Sequence, residues 1–130
     1  MTSFIIVDDE YWVRQGIMNS FDWAAYGISE RYEASNGQTA MQLIEAHQID
    51  IIIADIRMPG LDGLTLTRYV KEKYPDKVII LLSGYSDFSY AQKALQYGAM
   101  DYVVKNSSTD EIFNCIIKAK QHIEQVRRKK

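Results

Sequence analysis

A chain of 130 residues, 47% hydrophobic and 25% charged, with a formal charge of −2, has the size and make-up of one globular domain. The acidic balance argues against a nucleic-acid groove on this segment, and no apolar run approaches the ~18 residues of a membrane span. Asp8 and Asp9 interrupt the first apolar stretch too early for a signal peptide, and a single cysteine, Cys115, excludes an internal disulfide and fits a reducing cytoplasm.

The first apolar run, Phe4-Ile5-Ile6-Val7, ends in Asp8-Asp9-Glu10. After it, Val13, Gly16 and Ile17 keep the spacing of a first helix, and the segment from Asn19 to Ile28 is irregular. Arg31 to Ala34 fits a short strand at a sheet edge. Asn36 is placed to cap a second helix that turns Ala40, Leu43 and Ile44 to the core. A third strand from about Asp50 ends in Asp55, and Met58-Pro59-Gly60 then forces a loop. A third helix from about Leu64 stops at Tyr74, before Pro75. The fourth strand ends at Ser83-Gly84, and Ser86 or Asp87 caps a fourth helix that ends near Gly98. The fifth strand runs from Asp101 to Val104 and is followed by Lys105. Ser108-Thr109-Asp110-Glu111 reads as a capping box for a fifth helix that buries Ile112, Ile116, Ala119 and Ile123. Continuous apolar strands alternating with helices predict an α/β domain, a doubly wound five-stranded parallel sheet of order 2-1-3-4-5. No internal linker or repeat divides it, so residues 1–130 are expected to form one domain. The basic run Arg127-Arg128-Lys129-Lys130 reads as a solvated helix end. It lacks a closing glycine or proline, and the segment is expected to be part of a longer protein.

In such a sheet the carboxyl ends of the strands share one edge, where ligands bind. Asp8, Asp9, Asp55, Ser83 and Lys105 would therefore converge there. Like charges so close repel unless a cation sits among them, and a hard divalent ion such as Mg²⁺ answers that need. Lys105 and Ser83 offer a point charge and a hydroxyl to a phosphoryl group, and an aspartate can attack phosphorus to give an acyl phosphate. No Gly-rich loop ending in Lys-Ser/Thr is present to cradle a nucleotide. Alone, each residue has a plainer role, such as a helix cap for Asp8 or Asp9 and a turn for Ser83; the combination favours phosphoryl chemistry.

Val7-Asp8-Asp9-Glu10, the run from Asp55 to Gly63, Leu82-Ser83-Gly84-Tyr85 and the run from Gly98 to Lys105 resemble the motifs of receiver domains of bacterial two-component response regulators. The resemblance covers essentially the whole chain. It implies a flavodoxin-like fold and transfer of a phosphoryl group from a sensor histidine kinase to Asp55. It further implies Mg²⁺ held by Asp8, Asp9, Asp55 and the backbone carbonyl of Arg57, and phosphoryl oxygens bound by Ser83 and Lys105. Tyr102 would rotate as Ser83 moves, biasing the face made by the fourth helix, fifth strand and fifth helix. Such a domain assists only its own phosphorylation and dephosphorylation and is not an enzyme in the ordinary sense. Arg14-Gln15-Gly16-Ile17, Asp22-Trp23, Asn36-Gly37 and the run from Ser83 to Ala94 are similar to receivers that precede AraC-type DNA-binding domains. This implies a membrane sensor kinase upstream, possible pairing with a second copy, and DNA contact only through an output domain outside these residues.

The family usually has a cis proline after the fifth-strand lysine, whereas Asn106 stands here. A trans bond is the default before a non-proline residue, since cis costs about 2.5–4 kcal/mol. Arg57 and Tyr85 each lie two residues beyond a site residue and are expected to shield the acyl phosphate from water. Tyr69, Tyr90 and Tyr97 are expected to be half-buried packing residues, and His47 and His122 surface or helix-end residues. Trp12 is expected beside the pocket, as packing or a partly exposed flank. A phosphate-independent interaction module with a relic pocket is the alternative. An aspartyl-phosphate hydrolase of the haloacid dehalogenase type fits poorly, because Asp8 and Asp9 are adjacent rather than two apart.

Overall fold

The computed structural model describes residues 2–58, 60–84, 88–105 and 109–129. In chain order its elements are β1 (Thr2–Val7), α1 (Tyr11–Asn19), a short 3₁₀ helix (Trp23–Tyr26), β2 (Ile28–Ala34), α2 (Gly37–Ala46), β3 (Ile51–Asp55), α3 (Gly63–Lys73), β4 (Val78–Ser83), α4 (Phe88–Gln96), β5 (Asp101–Val104) and α5 (Thr109–Lys129). The five strands are parallel and lie in the order β2-β1-β3-β4-β5, as the alternation of elements predicts. Strands β1, β3 and β4 are buried along their whole length, which is why they read as unbroken apolar runs.

The two-residue period of the strands divides the core. Ile5, Val7, Ile52, Ala54, Ile79 and Leu81 pack with Ala40 and Ile44 of α2, Leu66 and Val70 of α3 and Ala94 of α4. Phe4, Ile6, Ile51, Ile53, Ile80, Leu82 and Val103 pack with Ile17 of α1 and Ile116, Ala119 and Ile123 of α5. Ile112 is only partly buried against that second cluster.

Helix starts follow their caps. Asn36 accepts a hydrogen bond from the Thr39 amide at 2.8 Å, and Asp62 does the same for Thr65 at 2.8 Å. Glu10 precedes α1 without a side-chain cap, so neither Asp8 nor Asp9 caps it. The caps expected from Ser86 or Asp87, the capping box at Ser108, and the positions of Tyr85 and Asn106 lie outside the described residues.

Three expectations are corrected. β2 begins at Ile28 rather than Arg31. The segment read as irregular carries the 3₁₀ helix, which buries Trp23: its Nε1 donates to the Ile17 carbonyl at 3.0 Å, and the rings of Phe4 and Phe113 lie 5.1 and 5.6 Å away. Gly27 ends that turn at φ +82°, a left-handed conformation suited to glycine. Tyr69 is half-buried, as expected, whereas Tyr90 and Tyr97 are exposed, at 40% each. His47 and His122 are exposed, as expected.

At the amino ends of the strands, buried Asp50 accepts hydrogen bonds from the Ser3 amide at 3.0 Å and the Ser3 hydroxyl at 3.3 Å. The same carboxylate pairs with Arg127 in the last turns of α5.

Candidate functional site

Register places the candidate residues along one edge. Val7 pairs with Ala54, Asp55 with Leu82, and Ser83 with Val104, so the residues that end β1, β3, β4 and β5 line up side by side. Backbone bonds fix the edge further: the Asp8 amide donates to the Ala34 carbonyl at 3.1 Å and the Lys105 amide to the Ser83 carbonyl at 2.8 Å.

Four acidic residues, Asp8, Asp9, Glu10 and Asp55, bring ligand oxygens within 4.8 Å of one another. Asp8 and Asp55 are buried, at 0% and 4% exposure, while Asp9 is exposed. Lys105 reaches into this group. Its Nζ lies 2.7 Å from Glu10 Oε1, 2.9 Å from Asp55 Oδ2 and 3.2 Å from Asp8 Oδ2. Burial penalises the ammonium, but the bonds to Glu10 and Asp55 and the charges of Asp55 and Asp8 outweigh it and hold its pKa above the ordinary range.

Burial likewise pushes the Asp8 carboxyl up to about 6; the Glu10 amide, which donates to Asp8 Oδ1 at 2.9 Å, and Lys105 oppose the rise, and the Asp55 charge adds to it. Asp55 is also raised, chiefly by burial, against the pull of Lys105 and of the Arg57 amide. Asp8 Oδ2 is buried and, despite the nearby ammonium, accepts no hydrogen bond. An unsatisfied, buried carboxylate oxygen in a group of four acids is a donor set that suits a hard divalent cation.

Ser83 is buried at the end of β4. Tyr102 is half-buried and packs against the cluster beneath α2, α3 and α4. The Arg57 amide donates to Asp55 Oδ1 at 3.2 Å, and its guanidinium carbon lies 5.1 Å from the centre of the Tyr90 ring. The edge therefore brings together Asp8, Asp9, Asp55, Ser83, Lys105 and Arg57. Trp12 is 70% exposed on α1, so it is not a packing residue.

Sequence reasoning gave no role to Glu10, which makes the shortest of the three Lys105 contacts, or to Arg14, which donates to the Asp8 carbonyl at 2.7 Å and to Glu33 at 2.8 Å. Neither carried a local signal: Glu10 and Lys105 lie 95 residues apart in sequence, and Arg14 and Glu33 lie 19 apart. A larger cavity of about 640 Å³ opens at the opposite edge, among Asp50, Tyr74, Lys77 and Arg127. The clustered carboxylates and Lys105 lie at the other end of the strands, so that cavity is not the site of this chemistry.

The chain belongs to the response regulator receiver domain family, whose profile matches residues 4–117. It is 34% identical over 116 residues to YesN of Bacillus subtilis, described as an uncharacterized transcriptional regulatory protein, covering 89% of this chain and 32% of that protein. The transcriptional regulatory protein HptR of Staphylococcus aureus is 35% identical over 105 residues, covering 81% of this chain and 41% of HptR. Among solved structures, the REC domain of AraT, a response regulator from Geobacillus stearothermophilus, superimposes with a TM-score of 0.90 at 36% identity, covering 97% of this chain and 98% of that one. A two component transcriptional regulator AraC from Clostridium phytofermentans gives 0.89 at 32% identity, over 96% and 97% of the two chains. The chain spans about a third of the length of YesN and about two fifths of HptR.

Proposed function

We propose that this domain accepts a phosphoryl group on Asp55 from the phosphohistidine of a sensor histidine kinase. The observation that supports this most strongly is the meeting of Lys105 with Asp55 and Asp8, at 2.9 and 3.2 Å, from the ends of three different strands. An Asp55 carboxylate oxygen attacks phosphorus, the donor's P–N bond breaks, and its electron pair stays on the imidazole nitrogen as that ring leaves. Asp8, Asp9, Asp55 and the Arg57 backbone carbonyl would hold Mg²⁺, which when bound neutralises charge on the phosphoryl oxygens. Lys105 exchanges a carboxylate contact for a phosphoryl oxygen, and the Ser83 hydroxyl donates to another.

Ser83 and Tyr102 then shift together and bias the face of α4, β5 and α5. Arg57 and Tyr85 shield the acyl phosphate from water. The domain acts on its own aspartate and on no separate substrate. The domain would sit in a cytoplasmic regulator, pair with a second copy through that face and contact DNA through an AraC-type output domain; the transcriptional regulators among its relatives support the last of these.

Intact mass after incubation with Mg²⁺ and phosphoramidate tests the reading. Wild type is expected to gain one phosphoryl group and Asp55→Asn none. No gain in wild type that still binds Mg²⁺ would favour a phosphate-independent module.

A further inference from the structure

Between the segment after β3 and α4 lies a cavity of about 350 Å³ lined by Ile56, Arg57, Met58, Asp62 and Tyr90. Among the contacts of Arg57, two link separate parts of the site. Its main-chain amide donates to Asp55 Oδ1 at 3.2 Å, and its guanidinium sits over the Tyr90 ring of α4, 5.1 Å from the ring centre. One residue thus touches the candidate phosphoacceptor with its backbone and α4 with its side chain.

Tyr90 is 40% exposed, so this guanidinium–ring contact stands partly in water, where such contacts are weak and readily exchanged. A phosphoryl group on Asp55 would offer the same guanidinium paired, charge-assisted hydrogen bonds, which are stronger. Resting on the reading of Asp55 as phosphoacceptor, we propose that Tyr90 is a positioning residue for Arg57. Its ring holds the guanidinium on α4 while Asp55 is bare and competes with the phosphoryl group for it afterwards. The competition acts in both directions: drawing Arg57 to phosphate frees α4 from this contact, and holding Arg57 on the ring leaves the acyl phosphate open to water. In that loss a water oxygen attacks phosphorus and the bond from phosphorus to the Asp55 oxygen breaks. The carboxylate is released, and the water's proton passes to inorganic phosphate or solvent.

A second pair supplies an internal control. Arg68 of α3 lies over the Tyr97 ring at 5.7 Å; it repeats the chemistry between α3 and the end of α4 without involving the segment that carries Arg57.

The test follows loss of the phosphoryl mass with time in the whole chain, after loading with phosphoramidate and Mg²⁺. Tyr90→Leu is expected to lengthen the half-life about two- to five-fold, the range that an exposed cation–π contact supports. Tyr90→Phe, which keeps the ring, and Tyr97→Leu are expected to match wild type. In an Arg57→Gln background, Tyr90→Leu is expected to change nothing further. A Tyr90→Leu effect that survives Arg57→Gln, that Tyr90→Phe fails to restore, or that is absent altogether overturns the proposal alone. A wild-type chain that gains no phosphoryl mass overturns the reading of Asp55, and this inference with it.

Discussion

Asp8 carries the sharpest electrostatic conflict in the molecule. It is fully buried, one oxygen accepts no hydrogen bond, and its pKa stands at about 6 against an ordinary 3.8. Because the folded value lies above the unfolded one, Asp8 favours folding below the unfolded value, and that contribution is lost as pH rises through the folded one. Asp8→Asn removes the titration. In EDTA it is expected to be more stable than wild type at pH 7.5, by on the order of 1–2 kcal/mol, with the advantage shrinking below pH 6 and vanishing only below about pH 4. Thermal melts across that range check it, and a pH-independent difference would count against a buried charge as the cause. Asp8, Asp55 and Lys105 were legible because each ends an apolar run, where burial gives a charged residue no other purpose than pairing. Glu10 and Tyr90 were not. Their partners, Lys105 and Arg57, lie far off in sequence, and no local period marks such a pairing.

At the scale of elements, the joint between β3 and α3 leaves no room for a side chain. A Cβ on Gly63 would stand 2.4 Å from the Asp55 carbonyl oxygen and 2.9 Å from the Ile56 Cα, both backbone atoms that cannot swing aside. The Gly63 amide meanwhile donates to the Ile56 carbonyl at 2.9 Å, closing the loop that carries Arg57 and Gly60. Gly63→Ala is expected to cost about 1–3 kcal/mol, seen as a lower urea midpoint, and to slow phosphorylation by displacing Asp55. An unchanged midpoint would mean that α3 shifts freely. Strands β1, β3 and β4 and the start of α2 could be read directly, since unbroken apolar runs and the capping Asn36 are local signals. The 3₁₀ helix was not, because Trp23 is buried by rings from β1 and α5 rather than by a periodic face of its own.

Across the whole molecule, the two edges of the sheet are held in different ways. The carboxyl edge gathers like charges around one ammonium, whereas the amino edge is tied by Asp50, which bonds Ser3 of β1 and pairs with Arg127 of α5. Asp50→Asn keeps the shape but removes the charge. It is expected to cost about 1–3 kcal/mol, as a charged hydrogen bond does, without altering phosphorylation of Asp55. Equilibrium unfolding and intact mass measured together check both halves of that expectation. Helix α5 runs through 21 residues, roughly 30 Å at 1.5 Å per residue, beside a final strand of only four. Held to the sheet through Ile116, Ala119 and Ile123 and tied by Arg127 near its end, it is a stiff rod clamped along its middle and tail. Only its start, before Ile116, is left outside that clamp, so a push there meets a short, partly buried end rather than a hinged helix.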